Sequence, residues 1–395
     1  MTWFAPPSHR STLLRPTAVN SILAEVRQMR AENKPVVSLM RGEPDFATPS
    51  HISDAAVHAL RSGRTSYPDN RGEPGLRDAV ALKLARDNSL SYDPATEILV
   101  TTGATLGIHT ALMALINEGD GVLIPDPVYD AYQSPIIVAG GVIQPVRASI
   151  VGDRFVLTRD ALEAAVTPST RALVLNSPWN PAGTVLGGAE LWEIGEFILR
   201  RNLILISDEI YESVVYDSHR HISPASLSPE MRSSTVLVNS LSKTYAMTGW
   251  RVGYCAAPAA LTSAMLLVLQ QSSRGPATFV QDAAAAALAG PQDDVEVMRR
   301  EYAARRARAL SALEGLPQAR ALAPEGGFFV MVDVRATGVP SDEIRRRLLR
   351  NHGVAVVHGS AYGPGGEGTL RVSFASGGDA LSEGLERLRA GLSAL

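Results

Sequence analysis

The stretch 234-STVLVNSLSKTYAMTGWRVGYC-255 decides how this chain is read. It opens on a short, β-branched apolar run (234–239) and closes on another (250–255). Each run is too short for a buried helix and suits a strand covered on both faces. Between them stand Ser240, Ser242, Lys243 and Arg251. Lys243 is unusual against the composition, which holds three lysines and 34 arginines. Where a fixed surface cation suffices, this sequence uses Arg. A retained Lys marks an amine that can lose its proton and react, which a guanidinium cannot do.

Outward from that stretch, four more runs have the same character: 98-ILVTTG-103, 121-GVLIPD-126, 171-RALVLN-176 and 203-LILISD-208. Helix-length segments such as 105–119 and 188–202 lie between several of them. The alternation predicts an α/β fold, a mostly parallel sheet with helices on both faces. The chain ends read differently. Residues 18–32 form one amphipathic pattern, followed by 35-PVVSLM-40. Beyond residue 290, helical stretches precede 326-GGFFVMVDV-334, 354-VAVVHG-359 and 369-TLRVSFA-375. These predict a smaller α+β domain built from both chain ends. The expected division is an N-terminal arm and part of the small domain (1–45), a large domain (46–290) and a small C-terminal domain (291–395). The boundary at 290 rests on a Gly-Pro helix stop.

Composition narrows the function. The net charge of −3 gives no electrostatic case for nucleic acid or an anionic membrane. The Arg-rich stretches 299–310 and 345–350 read as solvated helix faces. Cys255 is the single cysteine, so no intrachain disulfide and no CxxC metal motif exist. The first residues lack a signal-peptide core, and no apolar run reaches membrane-spanning length. The expectation is a cytoplasmic enzyme without a metal.

In a parallel sheet the carboxyl ends of the strands share one edge, where open α/β folds bind ligands. Five polar clusters fall there: Gly103-Ala104-Thr105, Asp126 to Tyr129, 176-NSPWNPAG-183, 208-DEIY-211 and 240-SLSK-243. Each alone has an ordinary structural reading as a turn, a core tyrosine, a helix cap or an ion pair. Together they have a chemical one. Small residues before a helix leave backbone N–H groups for a phosphate. Tyr129 offers a ring for stacking, and Asp208 a carboxylate for a cationic ring nitrogen. Arg251 and Arg371 are cations in apolar runs, suited to a phosphate and a carboxylate. Lys34 and Lys83 read as surface charges. Lys243, desolvated and close to another cation, is expected to have a lowered pKa and to form imines. Imine-forming lysine, ring-nitrogen partner, aromatic stack and phosphate cup describe pyridoxal phosphate.

Six motifs carry a family resemblance: 42-GEPDF-46, Tyr67 ahead of 72-GEPGLR-77, 176-NSPWNPAG-183, 207-SDEIY-211, 240-SLSKTYAMTGWRVGY-254 and 369-TLRVSFA-375. Over residues 12–393 the chain resembles the fold-type I, pyridoxal-phosphate-dependent aminotransferases of class I/II. It is most similar to the branch holding bacterial aspartate and aromatic aminotransferases. The resemblance implies a seven-stranded sheet and a homodimer with shared active sites, Tyr67 reaching the neighbouring subunit's phosphate. It implies that Lys243 binds the cofactor's aldehyde as a Schiff base and that Asp208 keeps the ring nitrogen protonated. Asn180 and Tyr211 would bond the ring's phenolic oxygen, and Tyr129 would stack on the ring. Gly103, Ala104, Thr105, Ser240, Ser242 and Arg251 would hold the phosphate. Arg371 would bind the substrate α-carboxylate, with Asn180 and the Gly42 backbone close by. The implied reaction moves an amino group from an L-amino acid to a 2-oxo acid by a ping-pong mechanism.

A C–S β-lyase on the same scaffold is the competing reading. A non-catalytic, cofactor-binding regulator is a remote one, since no DNA-binding module precedes Gly42. Departures from the family pattern bear on substrate choice. Thr105 stands where aspartate-specific members can carry a lysine. Met40-Arg41, Trp179 and His358 are also unusual. Arg274, or less favourably Arg41, is the candidate distal cation for an acidic co-substrate such as 2-oxoglutarate.

Overall fold

Short apolar runs become strands here because both their faces are covered. In the computed structural model, which describes residues 7–395, seven strands form the main sheet. They are β1 (Ile98–Thr101), β2 (Gly121–Asp126), β3 (Val142–Arg147), β4 (Thr170–Asn176), β5 (Ile204–Asp208), β6 (Thr235–Ser240) and β7 (Gly253–Ala256). Their order across the sheet is β1-β7-β6-β5-β4-β2-β3. All neighbours pair in parallel except β7, which runs antiparallel to both β1 and β6.

Side chains alternate between the two faces of the strands. Leu99, Val236 and Val238 pack with Ile108 and Leu112 of the helix Ala104–Leu115 and with Met265 and Leu269 of the helix Ala259–Ser272. Val100, Leu237 and Tyr254 face the other way, onto Ile52, Val80, Leu84 and Ala283. Each such aliphatic side chain taken fully out of water contributes about 1.5–3 kcal/mol. The first of these helices lies close on the sheet. A Cβ at Gly107 would stand 2.8 Å from the Cys255 sulfur and 3.1 Å from Val238 Cγ1.

A second, antiparallel sheet joins β8 (Arg320–Leu322), β9 (Phe329–Asp333), β10 (Val357–His358) and β11 (Thr369–Ser373) in the order β8-β9-β11-β10. The chain's beginning comes back to it. Val37–Ser38 pairs in parallel with Val354–Ala355, and Ser373 N–H donates to Leu39 C=O at 2.8 Å. The helix Ala18–Ala31 buries Ile22 and Val26 against Leu349, Val357 and Tyr362. No helix among the described residues is long and apolar enough to cross a membrane.

Four expectations need correction. The edge strand β3 escaped the sequence reading because it is half-exposed and carries Pro145, so it has no apolar run. The run 250–255 becomes a strand only from Gly253. Arg251 precedes it in the left-handed region (φ 55°) and is a turn residue, not a strand residue. The Arg-rich helices are not wholly solvated. Arg305 is buried against Asp45 and Glu301, and Arg345 against Glu25 and Asp342. Lys83 is no surface charge either: it is buried and ion-paired to Glu212.

Candidate active site

The site is assembled from strand ends. Asp208 ends β5, Ser240 ends β6, and the turn carrying Arg251 precedes β7. Because β7 runs against β6, its start lies at the same edge as β6's end. Asn180 and Tyr129 follow β4 and β2. They line one cavity of about 1050 Å³ together with Gly42, Ala104, Thr105, Tyr211, Ser242, Lys243 and Arg371.

Lys243 donates from Nζ to Gly42 C=O at 2.6 Å. Its amine lies 5.9 Å from the Tyr211 ring centre and 5.7 Å from that of Phe328. Burial drives its pKa down from 10.5 to about 8, with Arg251 and Arg371 adding to the fall and Glu43 and Asp208 opposing it. Such an amine is neutral in a substantial fraction near neutral to mildly alkaline pH, as a nucleophile requires.

Asp208 is buried, and its carboxyl is pushed up from 3.8 to about 6 by desolvation. Tyr132 donates to its Oδ2 at 2.5 Å, and the Ile210 N–H to Oδ1 at 3.2 Å. Those bonds favour the carboxylate but do not offset burial. Tyr132 was missed by the sequence reading. Its signal was its spacing: in 129-YDAY-132 it lies one turn past Tyr129, and the two rings meet edge to face at 5.5 Å.

The phosphate-suited groups gather at one end. The helix Ala104–Leu115 begins after Gly103, which has φ 81° and gives no side-chain cap, so its first N–H groups are open to an anion. A Cβ at Gly103 would stand 2.6 Å from Arg251 Nη2, which places the guanidinium against this helix start. Arg251 Nη1 donates to Thr248 C=O at 3.0 Å. Ser240 Oγ lies 2.8 Å from Ser242 Oγ.

At the other end, Arg371 is buried between aromatic faces, 4.0 Å from the Phe329 ring centre and 4.8 Å from that of Tyr362. Nη1 donates to Asn180 Oδ1 at 3.1 Å, while Nε has no partner. A buried guanidinium with an unmet donor fits an incoming carboxylate.

Some candidates fall elsewhere. Tyr67 (81% exposed) and Arg274 do not line the cavity; Arg274 stacks over the Tyr67 ring at 4.7 Å. Arg41 lines the cavity but is engaged, bonding Glu43 and Pro44 carbonyls and lying 3.6 Å from the Glu43 carboxylate. Trp179 is buried beside Phe155 with its Nε1 donating to Pro127 C=O, and so serves packing. His358 bonds Ser360 and lies outside the cavity.

This arrangement has close parallels. The family model "Aminotransferase class I and II" matches residues 34–388. The chain is 37% identical to the aspartate aminotransferase of Geobacillus stearothermophilus over 96% of this chain and 97% of that one. It is 40% identical to the aspartate aminotransferase of Pyrococcus abyssi, with the same coverage of each. The crystal structure of the aspartate aminotransferase from Rhizobium meliloti superposes with a TM-score of 0.93, at 35% identity over 98% of this chain and 99% of that one. The chain belongs to the class I and II aminotransferases. It is a transaminase that works with pyridoxal phosphate.

The cavity suits that cofactor on its own geometry. A buried acid at the floor, an amine of lowered pKa, an uncapped helix start with an adjacent guanidinium, and a distant guanidinium with a free donor match ring nitrogen, aldehyde, phosphate and substrate carboxylate.

Proposed function

We propose that this enzyme moves the amino group of an L-amino acid onto a 2-oxo acid, 2-oxoglutarate being the acceptor, in a ping-pong cycle centred on Lys243. The observation that carries the reading is the Lys243 amine, desolvated to a pKa of about 8 between Asp208 and Arg371. When bound, pyridoxal phosphate supplies an aldehyde that takes up the amino group and a ring that accepts the electron pair left at the α-carbon.

The chain's own residues do the rest. Ala104, Thr105, Ser240, Ser242 and Arg251 would hold the phosphate. Asp208, kept in place by Tyr132, would pair the ring nitrogen. Tyr211 and Asn180 would bond the phenolic oxygen, and Tyr129 would offer its ring for stacking. Arg371 fixes the α-carboxylate, with the Gly42 backbone alongside. The Lys243 amine would take up the α-proton at Nζ as base and release it again as acid.

The test is a single-turnover absorbance scan with amino acids and no oxo acid. Conversion to the aminated cofactor, with release of one equivalent of oxo acid, is expected. Steady release of pyruvate and ammonia from a cysteine conjugate would establish the lyase instead. Arg371→Lys is expected to lower kcat/KM for amino acids roughly 100-fold, because a point charge replaces a planar fork. Simple amines lacking a carboxylate serve as the control and should be unaffected.

We infer further that the enzyme is a cytoplasmic homodimer, in which Tyr67 and Arg274 complete the partner's cavity. Their exposure as a stacked pair outside their own cavity supports this. Arg274→Ala should raise KM for 2-oxoglutarate about tenfold or more, with the KM for a neutral oxo acid unchanged. An unchanged 2-oxoglutarate KM would remove Arg274 from the substrate site. The division into an arm with part of the small domain (1–45), a large cofactor-binding domain (46–290) and a small C-terminal domain (291–395) is likewise proposed.

A further inference from the structure

The loop 208-DEIYE-212 sends Asp208 and Tyr211 into the cavity and Glu212 away from it, into a buried polar cluster behind the site. Three groups converge on the Glu212 carboxylate. Lys83, from the helix Pro74–Asn88, pairs with Oε1. Asn239 donates from Nδ2 to Oε1 at 2.7 Å, and Asn88 from Nδ2 to Oε2 at 3.0 Å. Lys83 also donates to Asn88 Oδ1 at 2.8 Å, so the cluster is closed. Burial alone would raise the Glu212 carboxyl, but Lys83 and His221 outweigh it and hold it below its usual range.

The cluster leads to the phosphate end through Asn239. Asn239 is held at Nδ2 by Glu212 and accepts the Ser240 N–H at Oδ1, at 2.7 Å. Ser240 Oγ in turn sets Ser242, through its hydroxyl at 2.8 Å and its N–H at 3.1 Å. A parallel link joins the next residues, Thr244 Oγ1 donating to Ser213 Oγ at 3.2 Å. A buried ion pair is a weak source of net stability, since desolvation offsets most of the attraction. Its placement here has another consequence: it fixes the amide that orients the Ser240–Ser242 turn, and with it the start of the segment carrying Lys243.

We propose that Lys83 and Glu212 are positioning residues for the cofactor's phosphate, acting through Asn239 on the Ser240–Ser242 turn. The inference rests on the phosphate-holding role proposed above for Ser240. Neither residue lines the cavity itself.

The test compares pyridoxal phosphate with pyridoxal, which lacks the phosphate, in titrations of cofactor-free enzyme. In the double variant Lys83→Met/Glu212→Leu both charges leave together, so the fold should hold, but Asn239 loses its acceptor. The dissociation constant for pyridoxal phosphate should rise about tenfold or more, and that for pyridoxal by less than about threefold. Glu212→Gln is the second variant. It leaves Asn239 a carbonyl acceptor but strands the Lys83 charge, so it should melt lower than the double variant and yet bind pyridoxal phosphate more tightly. That inversion of stability and affinity is the signature of positioning. If affinity simply tracks melting temperature, or both ligands weaken alike, the pair is structural only and the inference is overturned. Ser240→Ala separates the two levels. A selective loss of pyridoxal phosphate binding in Ser240→Ala, with none in the other variants, overturns the inference alone. No selective loss in Ser240→Ala overturns the phosphate role of Ser240 and the inference with it.

Discussion

Lys243→Ala is expected to reduce transamination by about 10⁴-fold, because in the proposed cycle one amine is both the attachment point and the proton carrier. Borohydride treatment should fix the cofactor to the wild-type chain and leave none on the variant, with peptide mapping locating the label at residue 243. The wild-type amine has a measurable signature before the cofactor is added. Its pKa is lowered to about 8 by burial. An amine-directed acylation pulse on the cofactor-free protein should therefore label residue 243 with a midpoint about 2.5 pH units below that of an ordinary lysine. A midpoint near 10.5, the ordinary value, would mean that the site does not desolvate this side chain. Retention of more than about a hundredth of the activity in Lys243→Ala would assign the proton transfer elsewhere.

Asp208→Asn is expected to lower kcat/KM roughly 100- to 1000-fold while making the cofactor-free protein more stable at neutral pH. The two effects have one origin. The folded-state pKa of Asp208 is raised from 3.8 to about 6, so the folded protein holds this proton more tightly than the unfolded chain does. The group's favourable contribution is present below about 3.8 and is lost as pH rises through about 6. Above that, the carboxylate is a buried charge whose desolvation the attraction of Lys243 does not offset, and the amide removes the penalty. Melting of the two cofactor-free proteins should differ by about 2–5 °C at pH 7.5, the gap closing as pH falls through about 6 to 4. A variant no more stable at pH 7.5, or one whose advantage persists at pH 4, would contradict this account. In the holoenzyme, the proposed pairing with the ring nitrogen would supply a partner for the charge, and the advantage should vanish.

Much of this was legible in the residues because catalysis demands particular chemistry at particular strand ends. Lys243 stood out by its rarity, Asp208 by following a buried strand, and Arg371 by interrupting an apolar one. The six apolar runs of the main sheet were legible for the same reason, since two-sided burial leaves few polar residues in them. Properties that depend on distant partners were not legible. Lys83 lies on a helix with a surface-like local pattern, and its partner Glu212 is 129 residues away. Arg345 meets Glu25 across 320 residues, so its helix read as solvated. Arg251 looked like a strand residue because nothing local announces a left-handed turn without glycine. Tyr132 was passed over because its role belongs to Asp208, 76 residues on.

The arginine ties at the chain ends carry a mechanical meaning. Arg345 grips Glu25 of the helix Ala18–Ala31, and Arg305 grips Asp45 just past Gly42. That helix supplies Val19, Asn20 and Leu23 to the cavity rim, while Arg371 reaches the cavity from β11. Val19, Asn20, Leu23 and Arg371 are thus tied to one sheet, distinct from the sheet that seats Asp208 and Ser240. Under the proposed division, a single displacement of that part would carry the cavity rim and the Arg371 guanidinium together.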